Sequence, residues 1–200
     1  MGRDALRWSD YRSVPWKNGG GITREVASGA VRTPVASAEI ADGFDWRVSV
    51  ADVDAGGSFS VFPGIDRVIT LVEGEGMVLT VDGIRHPVGP LSPFAFSGDA
   101  ATDCRLKVGA VRNMNVMTRR SRAAAQVRII TVATARGTEL GCAAGETLLV
   151  MAVTDGIEVG GPDGRETTLG RLDCVRHEGP VALTLRGDGT VAGIRITAAR

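Results

Sequence analysis

The residues in this chain best suited to chemistry are arginines, amides and glycines. That set grips an anion rather than moves protons. Arg47 stands in Trp46-Arg47-Val48-Ser49-Val50-Ala51, and Arg67 ends Phe59-Ser60-Val61-Phe62-Pro63-Gly64-Ile65-Asp66-Arg67. A guanidinium is a planar fork that meets a carboxylate in two hydrogen bonds. Arg47 shares a strand face with Ser49 and Ala51, a small polar face with room for a ligand, while Trp46, Val48 and Val50 point the other way, which suits a core between sheets. An inward Arg47 or Arg67 needs an anionic ligand, or else a permanent partner such as Glu25 for Arg47 or Asp66 for Arg67.

A second group is Trp16-Lys17-Asn18-Gly19-Gly20-Gly21-Ile22-Thr23-Arg24-Glu25-Val26. A phosphate loop would end in Gly-Lys-Ser/Thr and open a helix. Here the glycines enter an alternating, strand-like run. The backbone at Gly19 and Gly20 must therefore approach something closely, either another strand or a ligand. Asn18 adds an amide and Glu25 a carboxylate. A third group is Asn113, Asn115, Met117 and Arg119, which share a face at strand spacing and suit the wall of a mixed polar pocket.

Other chemistries are poorly supplied. The two histidines, His86 and His177, lie in different halves of the chain. Neither sits in a His-x-His pair, so the imidazole set of a mononuclear metal site is missing, and no metal or other cofactor is expected. His86 precedes Pro87 after a hairpin and is expected to face solvent. Cys174 and His177 fall on opposite faces of a strand and cannot form a thiol–imidazole pair.

These groups must be carried by short strands. Alternating segments recur at Trp46–Ala51, Val68–Val72, Met77–Val81, Cys104–Val108, Gln126–Ala133, Thr147–Val153, Ala182–Leu185 and Val191–Thr197, and Asp82-Gly83 signals a hairpin. Many short strands separated by glycine turns predict a sandwich or barrel. The alanine-rich piece Ser121–Gln126 reads as a helical turn or a loop. A repeat is also visible: Leu71 to Leu91 and Met151 to Leu172 both run strand, glycine turn, strand, hairpin, strand, glycine bend.

The 200 residues carry 23 basic and 23 acidic side chains. A neutral chain is not expected to bind nucleic acid, and no apolar run is long enough to span a bilayer as a helix. The first residues lack the apolar region of a secretion signal. Three cysteines, an odd number, read as reduced, buried thiols of a cytoplasmic protein. Between Arg105 and Arg136 stand eight basic residues and no acidic one. They form a solvated edge, are balanced by acids elsewhere, or face an anionic ligand or the acidic surface of a partner.

Four of these motifs resemble the signature of the HutD/Ves family: Pro15 to Gly21 with Thr23 and Glu25, Trp46 to Ala51, Phe59 to Arg67, and Asn115-Val116-Met117-Thr118-Arg119-Arg120. They occur in the expected order from Pro15 to Arg120. The second half matches only in length and turn pattern. The resemblance implies an all-β double cupin, two β-barrels of jelly-roll type with the metal ligands lost. Residues 1–120 would form the N-terminal barrel and 121–200 the C-terminal one, with strands exchanged between the halves. It also implies a bacterial cytoplasmic protein that regulates histidine utilisation by binding a small carboxylate such as N-formylglutamate, with a homodimer left open. Asn113 departs from the family pattern, which has an acidic residue there.

On this reading the ligand meets Asn18, Gly19, Gly20, Thr23 and Glu25 from the glycine segment. Arg47, Ser49, Arg67, Asn115 and Met117 complete the site from the strands, and no residue is catalytic. A metal-independent isomerase or epimerase would need Glu25 or Asp66 as its base. A structural or interaction role would need no convergent site.

Overall fold

The computed structural model describes residues 3–16, 19–31, 43–134 and 137–199. Asn18 lies outside them. Apart from one 3-10 turn at Trp8–Asp10, the regular structure of the described residues is β. The chain divides into two compact units. One is Arg12–Ala124; the other joins the residues up to Tyr11 to Ala125–Ala198.

In the Arg12–Ala124 unit, one sheet has the order Ser13–Pro15, Gly21–Gly29, Trp46–Val53, Val111–Arg119, Ile65–Glu73, Phe94–Ser97. A second sheet has the order Gly57–Ser58, Thr102–Leu106, Met77–Val81, Ile84–Val88. Neither closes on itself, so the expected barrel is two open sheets with a core between them. Ala51, Val53, Ile69 and Leu71 of the first sheet meet Met77, Leu79, Val88 and Cys104 of the second in that core. The face that fills the space between the sheets is therefore the one bearing Arg47, Ser49 and Ala51, not the Trp46, Val48, Val50 face. Both faces are apolar enough to be buried. Alternation alone says that two faces differ, not which neighbour each will meet.

The other unit repeats the plan. Its sheets have the orders Arg3–Leu6, Cys174–Glu178, Thr147–Ala152, Gly189–Ala198, Ala123–Val132 and Thr138–Cys142, Val181–Arg186, Ile157–Gly160, Glu166–Leu169. The eight strands after residue 122 pair with one another in the same order as the eight from Trp46 to Arg119, so the turn repeat in the sequence corresponds to a repeat of topology. The piece expected as a helical turn or loop is the beginning of the strand Ala123–Val132. Small alanines pack in a strand as well as in a turn, and the turn itself is confined to residues 120–122. His86 is half-buried on Ile84–Val88, its ring 4.9 Å from that of Phe94. It faces solvent less than its position before Pro87 predicts. All three cysteines are free and buried.

The first strand antiparallels Cys174–His177, from Arg3 opposite His177 to Leu6 opposite Cys174. Asp173 fixes this return of the chain: it accepts hydrogen bonds from the backbone N–H of Trp8 (2.8 Å), from Arg7 (2.7 Å) and from the backbone N–H of Gly170 (3.1 Å). The Tyr11 hydroxyl donates to the Leu172 carbonyl at 3.1 Å. Burial alone would raise the Asp173 carboxyl, but the Trp8 N–H, Arg7 and the Gly170 N–H outweigh it and hold the pKa below the ordinary value. A lowered carboxylate pKa stabilises the fold above the unfolded value, about 3.9, and the contribution is lost as pH falls through the folded value. Asp173→Asn should therefore unfold more easily at neutral pH, and its deficit against wild type should shrink in denaturant melts as pH is lowered below about 4. An equal deficit at pH 3 and pH 7 would show that Asp173 does not titrate as argued.

Candidate functional site

Three adjacent strands, Trp46–Val53, Val111–Arg119 and Ile65–Glu73, place side chains in register on one inner face. Met117 lies opposite both Arg47 and Arg67; Asn115 lies opposite Ser49 and Ile69; Asn113 lies opposite Ala51 and Leu71. A cavity of about 510 Å³ opens over this face, with Trp16, Phe59 and Phe62 among its walls.

Arg67 is only 6% exposed. Its guanidinium carbon lies 4.9 Å from the Phe96 ring centroid, 5.3 Å from Phe59 and 5.4 Å from Phe62. Its Nε is a long 3.5 Å from Asn115 Oδ1. Burial, and then the like charge of Arg47, draw its pKa down to about 10, so it still carries its charge at pH 7. Arg47 lies 5.0 Å from the Phe44 ring and sends Nη2 to the Met117 sulfur at 3.1 Å. Its Nε is buried with no hydrogen-bond partner. Burial lowers its pKa as well, and the charge of Glu25 partly opposes this.

Among the described residues neither arginine has a salt bridge. Asp66 instead accepts from Arg120 at 2.8 Å, and Glu25 accepts from Ser28 at 2.8 Å. The permanent pairs Arg47–Glu25 and Arg67–Asp66 are thus not formed. Three of the eight basic residues between Arg105 and Arg136 are answered by acids from elsewhere in the chain: Arg112 by Asp52 and Glu73, Arg120 by Asp66 and Asp99, Arg122 by Asp45. Arg47 and Arg67 lie outside that run and are left to rings, a thioether and a weakly bonded amide. Ser49 and Asn113, each 2% exposed, line the same cavity. Buried polar groups are costly unless something satisfies them.

Of the residues expected at the site, Thr23, Arg47, Ser49, Arg67 and Asn115 line the cavity. Met117 is fully buried and lies beneath Arg47 rather than in the cavity wall. Glu25 is exposed and outside the wall; it pairs in register with Ser49 just before the strand bulges, and its carboxylate accepts from the Ser28 hydroxyl. Gly19 and Gly20 do not line the cavity either. They form a turn closed by Gly19 N–H to the Trp16 carbonyl (3.0 Å) and Trp16 N–H to the Gly21 carbonyl (2.9 Å). A Cβ on Gly21 would collide with the Asp52 carbonyl oxygen. At Gly21 the close neighbour is thus a strand. The turn delivers Trp16 to the wall, where its indole N–H donates to the Thr23 hydroxyl at 2.7 Å.

The bulkiest lining residues that the expectation omits are aromatic: Trp16, Phe59 and Phe62. Phe59 and Phe62 stand in the motif that ends in Asp66-Arg67, and their spacing of three ahead of Pro63-Gly64 fits no strand period that would turn both inward. Asn113 was legible from its alternation with Asn115. No cluster of metal-ligating side chains occurs among the described residues.

The equivalent strand pair of the other unit has no such face. There Leu148, Val150 and Ala152 lie opposite Arg195, Gly193 and Val191. A Cβ on Gly193 would meet Ile130 at 3.3 Å, so side chains already occupy that space. Arg195 is tied to Glu146 and to the Gly141 carbonyl.

The family whose model matches this chain is HutD, over residues 8–193. An uncharacterized 21.2 kDa protein in the hutC 3' region of Pseudomonas putida is 38% identical over 175 residues, 87% of this chain and 86% of its own. Protein Ves of Citrobacter koseri is 39% identical over 129 residues, 62% of this chain and 63% of its own. Among solved structures, a conserved protein of unknown function from Pseudomonas aeruginosa PAO1 superposes with TM-score 0.86 at 33% identity, covering both chains fully. HutD from Pseudomonas fluorescens SBW25, in a formate condition, gives 0.82 at 34% identity, again over both full chains. A cupin 2 conserved barrel domain protein from Leptotrichia buccalis, 7% identical, gives 0.57 over 98% of this chain and 96% of its own, a likeness of fold alone. The chain belongs to the HutD family.

Proposed function

We propose that this protein is a non-catalytic binder of a small carboxylate that regulates histidine utilisation, built as a metal-free double cupin with its one site in the Arg12–Ala124 unit. The observation that carries the reading is a pair of desolvated guanidiniums, Arg47 and Arg67, with no salt bridge to a described residue, on a cavity of about 510 Å³. Such a volume is ordinary for a metabolite site. Two guanidiniums favour a ligand with two anionic groups, and the neutral Ser49, Asn113 and Asn115 offer hydrogen bonds to a polar group between them. N-formylglutamate has that composition. The hutC 3' region of the Pseudomonas putida relative supports the link to histidine utilisation.

An isomerase reading lacks its base. No carboxylate, imidazole or thiol stands among the described lining residues, and both candidates, Glu25 and Asp66, lie outside the wall. Calorimetry with N-formylglutamate, glutamate, urocanate and formate tests the proposal. N-formylglutamate should bind tightest, because glutamate brings an ammonium group into a cationic cavity. At a hundred times its dissociation constant it should add about 2.7 kcal/mol of stability in thermal melts. If none of the four binds at millimolar concentration, the reading is wrong.

A further inference from the structure

One aromatic ring serves both arginines. The Phe62 centroid is 5.9 Å from the Arg47 guanidinium carbon and 5.4 Å from that of Arg67. The ring offers each cation its π face where water is largely excluded. Phe62 also packs with the Phe44, Ile65 and Met117 cluster, and Met117 supplies the sulfur acceptor of Arg47. Where Phe62 sits therefore fixes how the two guanidiniums are held.

Phe62 itself is in no strand. Its backbone is held by a corner of the chain outside the cavity. The Phe62 N–H donates to the Gly98 carbonyl at 2.7 Å, and the Gly98 N–H donates to the Ile65 carbonyl at 2.7 Å. A Cβ on Gly98 would fall 2.7 Å from the Ile65 oxygen, 2.8 Å from the Phe62 oxygen and 3.2 Å from the Phe62 Cβ. Asp99 accepts the Gly64 N–H at 2.8 Å and is itself held by the Ser97 hydroxyl at 2.9 Å and by Arg120 at 2.8 Å. Arg120 also binds Asp66, and its own N–H donates to the Gly64 carbonyl at 2.9 Å. Neither Gly98, Asp99 nor Arg120 lines the cavity.

We infer that the corner Ser97-Gly98-Asp99, pinned by Arg120, sets the anion affinity of the cavity by holding Phe62 against both Arg47 and Arg67. Gly98 and Asp99 are positioning residues that act through Phe62, and the inference rests on the carboxylate reading of the site. Each has its own physical role. Gly98 allows the backbones to approach, and Asp99 supplies the acceptor that fixes the Pro63-Gly64 turn.

The test is N-formylglutamate titrated into wild type, Asp99→Ala, Asp99→Asn and Gly98→Ala, and into the same substitutions combined with Phe62→Leu. Asp99→Ala and Gly98→Ala should each weaken binding roughly 3–30-fold, the range of coupling through packed neighbours. Asp99→Asn keeps an acceptor for the Gly64 N–H and should recover most of the loss. With Phe62→Leu present, neither Asp99→Ala nor Gly98→Ala should matter further, since residues acting through a shared partner are not additive. Wild-type affinity in both single variants, or equal losses with and without Phe62, overturns the inference while leaving the carboxylate reading intact. Absence of binding in wild type overturns both.

Discussion

Arg67→Met is expected to cost carboxylate binding about 2–5 kcal/mol, the range for removing one partner of a buried charged pair, while leaving the unliganded protein at least as stable as wild type. The two effects have one cause. Arg67 is 6% exposed and has no carboxylate partner among the described residues, so the empty protein bears the cost of a desolvated charge beside a second one, Arg47. Methionine is apolar and flexible enough to fill the stem of the arginine's place among the rings, and it removes that cost. An arginine needed only for packing would instead lose stability on substitution and leave affinity alone. Calorimetry and thermal melts on the same samples separate the cases. Wild-type affinity in both Arg67→Met and Arg47→Met would show that the guanidiniums do not hold the ligand.

Asp45→Ala should be among the most destabilising single substitutions in the chain, by about 3 kcal/mol and thus roughly 6–12 °C in melting temperature. Asp45 is fully buried. It accepts from the Val31 N–H at 2.9 Å and from two nitrogens of Arg122 at 3.1 and 3.3 Å. Truncation leaves a buried N–H without its acceptor and a guanidinium without its counter-ion. Arg122 keeps 23% of its side chain in solvent, which is why the figure sits at the low end for buried pairs. Asp45→Asn, which can still accept from Val31, should cost less. Asp45→Ala with Arg122→Ala should cost less than the sum of the two. A loss for Asp45→Ala within about 0.5 kcal/mol of zero, the level of an ordinary surface change, would contradict the account.

The strands and the arginines of the site were legible because each depends on a local rule. Alternation placed Met77–Val81 to the residue, and it set Arg47 with Ser49 and Asn113 with Asn115. What was not legible depends on neighbours distant in sequence. Nothing near Trp46 tells which of its strand's two faces will meet the second sheet. The aromatic cage of Arg67 combines Phe59 and Phe62 from a turn with Phe96 from an edge strand, and no period links the three. The bulge just past Glu25 is one extra residue in a pairing whose partner lies more than twenty positions on. The glycine run was read as needing a close neighbour, but that neighbour at Gly21, the Asp52 carbonyl, belongs to another strand.

The pairing of the first strand with Cys174–His177 also bears on how the chain is made. The partners are some 170 residues apart. At a synthesis rate of about 5–20 residues per second, the first strand waits on the order of 10–30 s for its partner to be translated. Loop closure over such a distance slows folding, and during the wait the strand's backbone groups are open to other edges. The Arg12–Ala124 unit, by contrast, can complete its sheets as soon as Arg119 has been made. The nascent protein thus acquires the cavity lined by Arg47 and Arg67 before the sheet that takes up Arg3–Leu6, and a fusion partner attached ahead of Arg3 would burden the last step of assembly rather than the first.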